Sequence, residues 1–146
     1  MIHTATGDLF ESHCDALVNP VNCVGVAGRG LAAQFRTRYP DDIAAYSNAG
    51  RNGRIHTGEM FTTCVNRLTP TIVHFPTKDH WRYPSQMNYI TDGLVALRRT
   101  ITQHQFETIA VPALGCGHGG LRWDEVRDAI RTILEDLDVR IEVYEP

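Results

Sequence analysis

Residues 16–30 read ALVNPVNCVGVAGRG: a short apolar run, a glycine-rich loop, and the start of a helical pattern that continues to residue 38. The same order returns later in the chain. There the apolar run at 108–112 leads into GCGHGG at 115–120 and then into a helical pattern over 122–137. Each unit is therefore predicted to be a strand, a glycine loop and a helix.

Glycine-rich loops at the start of a helix let backbone N–H groups approach an anion, and the helix N-terminus adds a favourable potential. In an open α/β sheet, both loops are expected at the carboxyl ends of the strands, where ligands bind. A single loop of this kind is better explained by tight turns that need glycine. Two loops in matching positions favour phosphate binding, and together they predict a clasp around a diphosphate.

The remaining pattern alternates strands with helices. Strands are predicted over 16–19, 59–65, 71–75, 108–112 and 139–144, and helices over 30–38, 41–48, 85–104 and 122–137. This alternation predicts an α/β fold with a largely parallel or mixed central sheet. The length of 146 residues suits one domain, and no internal repeat or linker interrupts residues 1–146.

Composition excludes several functional classes. The formal net charge is −3, and the thirteen arginines are scattered, so the chain has no basic stripe for tracking long nucleic acid. No apolar run approaches the ~20 residues that a membrane-spanning helix needs. The N-terminus lacks the pattern of a secretory signal, and four cysteines without one suggest reduced thiols. We therefore expect a cytoplasmic protein without membrane contact.

A third segment, HFPTKDHWR at 74–82, leaves a predicted strand at the same sheet edge. It holds Lys78, the single lysine of the chain. If neighbouring loops enclose this ammonium, it becomes a usable base or amine nucleophile. For Asp79, His80 and Arg82, we expect an ordinary solvated loop with Trp81 packed underneath.

The loops do not match two familiar nucleotide-binding patterns. Neither is a P-loop, and neither is a dinucleotide-binding fingerprint followed by an acidic residue about twenty positions later. The cysteines and histidines lack metal-ligand spacing, so we expect no metal and no cofactor. We expect Cys23 and Cys116 to pack inside their loops. A nucleophile pair of Cys116 and His118 is a weaker alternative, because closeness in sequence is not catalytic geometry.

Several separated motifs resemble the macrodomain, the ADP-ribose-binding fold: TGDLF at 6–10, DALVNPVN at 15–22, the loop 25–30 and VPALGCGHGGL at 111–121. The resemblance implies a three-layer α/β/α domain with a mixed central sheet. NCVG at 22–25, FPTK at 75–78 followed by His80-Trp81-Arg82, and GGL at 119–121 followed by Trp123 resemble the DarG-type branch more narrowly. Members of that branch are antitoxins that remove ADP-ribose from thymidine in single-stranded DNA.

The resemblance also implies roles for particular residues. Lys78 acts at the scissile bond, Asn22 holds the distal ribose, and Asp8 takes the adenine amino group beside the backbone of Leu9. The first glycine loop wraps the diphosphate and distal ribose, and the second closes over the diphosphate from the other side. The remaining residues expected to bind ADP-ribose are Asn19, Val24, Gly25, Gly28, Gly30, Leu31, Thr77, Gly115, Cys116, Gly117, His118, Gly119, Gly120 and Leu121.

The implied partners are ADP-ribosylated single-stranded DNA, ADP-ribose as product, and a DarT-type toxin whose modification the enzyme reverses. Contact with the toxin could involve a region outside this chain, since the resemblance leaves open that residues 1–146 form the N-terminal domain of a longer antitoxin. We expect this domain to be monomeric.

The implied reaction hydrolyses the bond between C1 of the distal ribose and a thymine nitrogen. A related branch that acts on glutamate-linked ADP-ribose has an aspartate where this chain has Gly119, and no carboxylate lies between Glu107 and Asp124. Lys78 therefore has to act without that acid, either as an ammonium that donates to the departing base or as an amine that attacks the ribose. The alternatives are an ADP-ribose reader without turnover, a deacetylase of O-acetyl-ADP-ribose or hydrolase of protein-linked ADP-ribose, and a domain that neutralises a toxin by contact alone.

Overall fold

The computed structural model describes all 146 residues. Its strands are β1 (Ile2–Ala5), β2 (Ala16–Asn22), β3 (Phe61–Thr63), β4 (Thr71–Lys78), β5 (Thr108–Val111) and β6 (Arg140–Tyr144). Its helices are α1 (Gly30–Arg38), α2 (Pro40–Arg51), α3 (Met87–His104) and α4 (Trp123–Leu134), and a 3₁₀ turn covers Leu9–Glu11. None of the helices combines the length and apolarity that crossing a bilayer requires.

The six strands form one mixed sheet in the order β1-β6-β5-β2-β4-β3. Every neighbouring pair is parallel except β3 with β4, which is antiparallel at one edge. This arrangement confirms the predicted α/β class and the mixed central sheet. Since the parallel strands all end at the same edge, the segments that follow β2, β4 and β5 come together there.

Helices cover both faces of the sheet, and β2 shows how its side chains divide between them. Ala16 and Val18 enter one core cluster, which also holds buried residues of α3 and α4. Leu17 and Val21 enter the other, which also holds buried residues of α1 and α2. This alternation follows the two-residue period of a strand, and the result is the predicted three-layer α/β/α arrangement.

Two strands run further than predicted, and in both of them the additional residues include a proline. β2 continues through Pro20 to Asn22, and β4 continues through Pro76 to Lys78. A proline cannot donate to a neighbouring strand, so it is tolerated where one side of a strand is unpaired. β2 pairs with β5 only through Leu17, and β3 pairs with β4 only as far as His74, so both prolines lie beyond those pairings.

Other boundaries differ by a few residues, and β1 was not predicted. β1 is a short edge strand with mixed burial and a single neighbour, β6, so its sequence carries little periodic signal. The strand expected over 59–65 is only three residues long, at 61–63. The last helix begins at Trp123 and ends at Leu134, three residues before its predicted end.

Candidate active site

The two residues predicted to act on the substrate are direct neighbours across the sheet. Asn22, the last residue of β2, is in register with Lys78, the last residue of β4, and the backbone N–H of Cys23 donates to the carbonyl of Lys78 at 3.1 Å. The extra residues of β2 and β4 bring about this meeting, because each strand carries its functional side chain to the sheet edge. Lys78 is half-buried and takes part in no ion pair.

Asn22 folds the first glycine loop around its own side chain. Its Oδ1 accepts hydrogen bonds from the backbone N–H groups of Val24 (3.1 Å), Gly25 (3.1 Å) and Val26 (3.3 Å). Its Nδ2 donates to the carbonyl of Val26 at 2.8 Å. The amide oxygen is therefore committed to the loop, and one Nδ2 hydrogen remains for a ligand. Sequence reasoning assigned Asn22 to the ribose and did not foresee this second task.

Tyr46 of α2 supports the same loop from below. Its hydroxyl lies 2.6 Å from the carbonyl oxygen and 3.0 Å from Oδ1 of Asn22. Burial raises the pKa of Tyr46, so this hydroxyl stays protonated and acts as a donor. Nothing in the sequence pattern distinguished Tyr46, because its partner is 24 residues away along the chain.

The first loop also lies directly on the backbone of α2. A Cβ placed on Gly25, whose φ is +87°, would lie 2.6 Å from the carbonyl oxygen of Ser47. A Cβ on Gly50 would lie 2.5 Å from the Cα of Gly25. Both glycines are required by close approach, and Gly50 was not predicted to matter. In the sequence Gly50 lies beyond the predicted helix 41–48, where a glycine is ordinary at a helix end, so nothing distinguished it.

A buried polar network lies under this loop. His74 is fully buried, with its Nδ1 3.2 Å from Nδ2 of Asn19 and its Nε2 2.9 Å from Oγ1 of Thr63. Because the amide nitrogen of Asn19 donates to Nδ1, Nε2 carries the proton and donates to Thr63. The ring of His74 stacks on Tyr46 with centroids 5.3 Å apart. Burial lowers the pKa of His74 to about 3, so the imidazole is neutral at physiological pH.

Several residues predicted to bind ADP-ribose have buried side chains. Asn19 has no exposed area, and its amide nitrogen bonds to His74. Thr77 is buried, with its Oγ1 3.5 Å from the carbonyl oxygen of Val21. Asn22, at 8% exposed, and Leu9 are buried as well, and the contacts of all four residues with ADP-ribose stay predictions.

Backbone hydrogen bonds shape the second glycine loop. Leu121 donates to the carbonyl of Gly115 at 2.9 Å, and Gly120 donates to that of Gly117 at 3.2 Å. Gly119 packs against Ser85, whose N–H donates to the Gly119 carbonyl at 3.0 Å, and a Cβ at this position would collide with Oγ of Ser85. There is no room for the aspartate side chain that the related branch carries here.

The two glycine loops approach each other and present free donors. A Cβ on Gly30 would lie 3.8 Å from Cδ2 of His118, so the ends of the loops nearly touch. The backbone N–H groups of Gly28, Gly30, Gly117 and His118 donate to no acceptor within the chain, and all four residues are exposed. Unpaired N–H groups on two facing loops are what a diphosphate requires. Val24, Leu31, Cys116 and Leu121 are half-buried beside them.

Asp8 follows β1 at the same sheet edge. Its Oδ1 accepts from the backbone N–H of Phe10 at 2.9 Å, and its Oδ2 lies 3.5 Å from Nη2 of Arg38. The guanidinium of Arg38 lies 4.6 Å from the ring centroid of Phe10. The carboxylate thus lies near the last residue of α1, and three strands, β6, β5 and β2, separate β1 from β4, which ends at Lys78.

The thiols of the two loops are poor nucleophiles. Burial, with a smaller contribution from Asp79, raises the pKa of Cys23 to about 11. Burial also raises the pKa of Cys116, whose Sγ lies 3.5 Å from the carbonyl of Leu114. Both thiols stay protonated at neutral pH, which removes the support for the Cys116 and His118 pair. No three His, Cys, Asp or Glu side chains come together in a geometry that could hold a metal ion.

The segment after Lys78 differs from its prediction. Trp81 was expected to pack underneath this loop, but 43% of the residue is exposed, and Tyr83 is 62% exposed. The carbonyl oxygen of Trp81 accepts a hydrogen bond from Nζ of Lys78 at 3.4 Å. The backbone of this segment therefore holds the lysine, while the rings face solvent.

Comparison with known protein families agrees with this geometry. The family profile described as Macro domain matches residues 18–130, which include both glycine loops and Lys78. The chain belongs to the macrodomain family. Its three-layer α/β/α arrangement and the two glycine loops that face each other at the carboxyl edge of the sheet are thus those of a macrodomain.

Individual relatives show a more specific similarity than the family profile does. The DNA ADP-ribosyl glycohydrolase of Mycobacterium tuberculosis is 43% identical to this macrodomain. The match covers 100% of this chain and 42% of that relative. The solved macrodomain of Mycobacterium tuberculosis DarG superposes with a TM-score of 0.97 at 43% identity, covering 100% of this chain and 98% of that one. Thermosipho africanus DarTG in complex with ADP-ribose superposes with a TM-score of 0.91 at 30% identity, covering 98% of this chain and 41% of that one.

This macrodomain therefore spans about two fifths of the length of the curated relatives that it matches. Both the full-length identity and the superposition extend across the Lys78 segment and the two glycine loops.

Proposed function

We propose that this macrodomain is a DNA ADP-ribosyl glycohydrolase that removes ADP-ribose from thymidine in single-stranded DNA and so reverses a DarT-type toxin. The observation that carries the proposal is the register pair of Lys78 and Asn22 beside two loops with unpaired N–H groups. The names of the relatives supply the substrate class. ADP-ribose is the product, and the bacterial cytoplasm, where such DNA is found, is the expected location.

In the proposed complex, the glycine loops hold the diphosphate through the N–H groups of Gly28, Gly30, Gly117 and His118. This grip places the distal ribose over the end of β2, where the free Nδ2 hydrogen of Asn22 is available to a ribose hydroxyl. Fixing the ribose in this way is a positioning effect, which can contribute several kcal/mol to a reaction barrier.

Hydrolysis breaks the bond between C1 of the ribose and the thymine nitrogen; water supplies a hydroxyl to C1 and a proton to the nitrogen. Ordinary glycosidases use two carboxylates for these tasks, and the second loop here has neither a carboxylate nor space for one at Gly119. Lys78 carries the proton transfer in our proposal. Its ammonium donates a proton to the departing nitrogen while water adds to C1, or its neutral amine attacks C1, displaces the thymine nitrogen and passes it a proton, after which water cleaves the C1–Nζ bond and regenerates the amine.

The test uses a single-stranded oligonucleotide that carries ADP-ribosyl-thymidine. The wild-type domain should release ADP-ribose, and Lys78→Ala should lower the rate by at least about a hundredfold. Lys78→Arg keeps the positive charge but cannot lose a proton, so activity in that variant favours an electrostatic role over attack by the amine. Calorimetry with ADP-ribose serves as the folding control, and all three proteins should bind it.

The outcomes separate the alternatives. Equal rates for the wild type and Lys78→Ala remove Lys78 from the mechanism. Binding of ADP-ribose without release by any of the proteins identifies a reader, the candidate that the glycine loops alone would also support. Release from ADP-ribosylated protein, but not from the oligonucleotide, identifies a hydrolase of protein-linked ADP-ribose.

The antitoxin role needs a separate test, because a domain can neutralise a toxin by binding it or by hydrolysing the product that the toxin makes. In our proposal the macrodomain acts on the product of the toxin, so cells that express the toxin should survive with the wild-type domain and die with Lys78→Ala. Survival with both proteins indicates neutralisation by contact. Sedimentation of the purified domain tests the predicted monomer.

A further inference from the structure

Two exposed aromatic side chains stand beside the proposed reaction centre. Trp81 and Tyr83 are 43% and 62% exposed, and no other aromatic residue of the chain is exposed. Aromatic rings contribute strongly to stability when buried, so soluble proteins rarely leave neighbouring ones in solvent without a use. Here they follow Lys78 by three and five residues at the end of β4.

His80 and Arg82 complete a cluster that we call the aromatic platform, residues 80–83. The ring of His80 lies 5.2 Å from that of Trp81 and 5.5 Å from that of Tyr83, measured between centroids. The guanidinium of Arg82 lies 5.0 Å from the centroid of the Trp81 ring. The platform is therefore a continuous array of flat groups, one of them a cation in contact with the indole.

Hydrogen bonds hold the aromatic platform in place relative to the site. Within it, His80 Nδ1 accepts from the backbone N–H of Arg82 at 3.1 Å, and the His80 carbonyl accepts from that of Tyr83 at 3.1 Å. At one end, Lys78 Nζ donates to the carbonyl of Trp81 at 3.4 Å. Just beyond the other end, the Ser85 N–H donates to the second glycine loop at 3.0 Å. The backbone is ordered before any ligand arrives.

The charge of Arg82 is free. Arg82 belongs to none of the ion pairs in the chain. Only its backbone N–H donates, to His80, so the guanidinium is available to a phosphate. Stacking rings combined with an unpaired arginine are the elements with which proteins hold single-stranded nucleic acid, because every base offers a π-face and every nucleotide a phosphate. Trp, Tyr and Arg are also frequent at protein–protein contacts, so the tests below include binding of a purified toxin.

We propose that the aromatic platform stacks one or two nucleobases adjacent to the ADP-ribosylated thymidine of a single DNA strand, with Arg82 on a neighbouring phosphate. This inference rests on the proposed function and adds the site that recognises the DNA portion of the substrate. The small size of the platform agrees with the net charge of −3, which does not favour binding a long strand.

The first experiment compares two substrates: an oligonucleotide with a central ADP-ribosyl-thymidine, and the ADP-ribosylated thymidine mononucleotide, which has no neighbouring bases. The wild type should have a KM about tenfold lower for the oligonucleotide, since stacking of one base contributes about that factor. Trp81→Ala and Tyr83→Ala should remove most of this difference by raising the KM for the oligonucleotide.

Leu68→Ala is the matched control. Leu68 is 94% exposed and lies in the connection that enters β4 from its amino end, at the sheet edge opposite Lys78. This variant should keep the full preference for the oligonucleotide. A preference that persists in Trp81→Ala and Tyr83→Ala overturns the proposal, and so does an equal loss on both substrates, which would mean that the rings support Lys78 rather than DNA.

A second experiment avoids turnover altogether. Fluorescence anisotropy with a labelled, unmodified oligothymidylate should detect weak binding that falls about tenfold in Trp81→Ala and is unchanged in Leu68→Ala. If no substrate is hydrolysed but this binding depends on Trp81, the proposed function fails and the aromatic platform stands. If hydrolysis is normal and Trp81→Ala changes neither binding nor KM, the platform fails alone. Binding of a purified toxin that is lost in Trp81→Ala, with KM for the oligonucleotide unchanged, also overturns it in favour of a protein surface.

Discussion

The two glycine loops have the same order in the sequence but are held by different means. The first loop is tied to the interior: Asn22 collects three of its N–H groups, Tyr46 bonds to Asn22, and Gly25 lies against Gly50 of α2. The second loop is closed by backbone bonds, one of them from Ser85, and is tightly packed at Gly119, but it has open space beside Gly117 and Gly120. One wall of the site is therefore held by side chains of the core, whereas the other has room to adjust to its ligand at Gly117 and Gly120.

In the proposed complex, this difference would separate the tasks of the two loops. A ribose must be held in one orientation over Lys78, and the rigid first loop lies on that side of the site through Asn22. A diphosphate tolerates more variation, because several N–H groups can serve its oxygens. The contrast can be tested by disturbing each loop in turn, beginning with the change of largest expected effect.

Gly50→Ala should damage the rigid loop most. The new Cβ would meet the backbone of Gly25 at 2.5 Å, so we expect a loss of about 2–3 kcal/mol in the free energy of unfolding, although alanine favours a helix by about 1 kcal/mol over glycine. Affinity for ADP-ribose should fall more than tenfold. Urea unfolding and calorimetry measure the two effects.

Gly117→Ala is the matching change in the adjustable loop. Nothing lies within 4 Å of its Cβ position and its φ is not in the left-handed region, so stability should change by less than about 0.5 kcal/mol. If the two variants lose equal stability, the two loops do not differ as we describe.

The buried imidazole beneath the first loop should make stability depend on pH. Folded His74 has a pKa of about 3, lowered by burial, whereas the unfolded chain titrates near its ordinary value of 6.5. Between these values only the unfolded state binds the proton, so His74 contributes full stability above pH 6.5 and loses it as the pH falls. The expected loss is about 1.4 kcal/mol at pH 5.5.

His74→Gln isolates this contribution. The variant should be less stable than the wild type at pH 8, because it loses the stacking on Tyr46, but its stability should decline less steeply between pH 6.5 and pH 5. Urea unfolding across this range measures both slopes. Identical slopes would mean that His74 is not buried as a neutral group.

Tyr46→Phe should have the smallest effect of the three changes in the rigid region. The variant loses the hydroxyl that bonds to Asn22 but keeps the ring on His74, so we expect about 1 kcal/mol less stability and a severalfold weaker affinity for ADP-ribose. Tyr144→Phe is the control, since its hydroxyl makes only a 3.4 Å contact with Glu142. Thermal unfolding should separate the two variants.

The order of strand, glycine loop and helix was enough to predict both loops and the sheet edge that they share. That pattern is local, and so are the turns that glycine permits. The task of Asn22 in folding its own loop was not predictable, because its amide could equally well face a ribose. The contribution of Tyr46 and Gly50 depends on how α2 packs under β2, which no spacing in the sequence records.

Two other differences between the prediction and the structure concern prolines and exposed aromatic rings. The predicted strands 16–19 and 71–75 end one residue before Pro20 and Pro76, whereas the short pairings with β5 and β3 allow both prolines inside longer strands. Trp81 was expected to be buried because most tryptophans are. Its exposure accompanies a local turn in which His80 accepts hydrogen bonds from Arg82 and Tyr83, and the periodicity that predicts strands and helices does not record such a turn.

The position of β1 beside β6 has a consequence for how the domain is made. β1 leaves the ribosome before the other five strands and has no strand partner until Arg140–Tyr144 has followed, and β5 lacks one of its two neighbouring strands until the same point. Parallel pairing between such distant segments is slow, because closing the intervening loop costs entropy before any contact forms. A ribosome that stalls before residue 140 therefore releases a product with unpaired strand edges, which proteases and aggregation partners can reach.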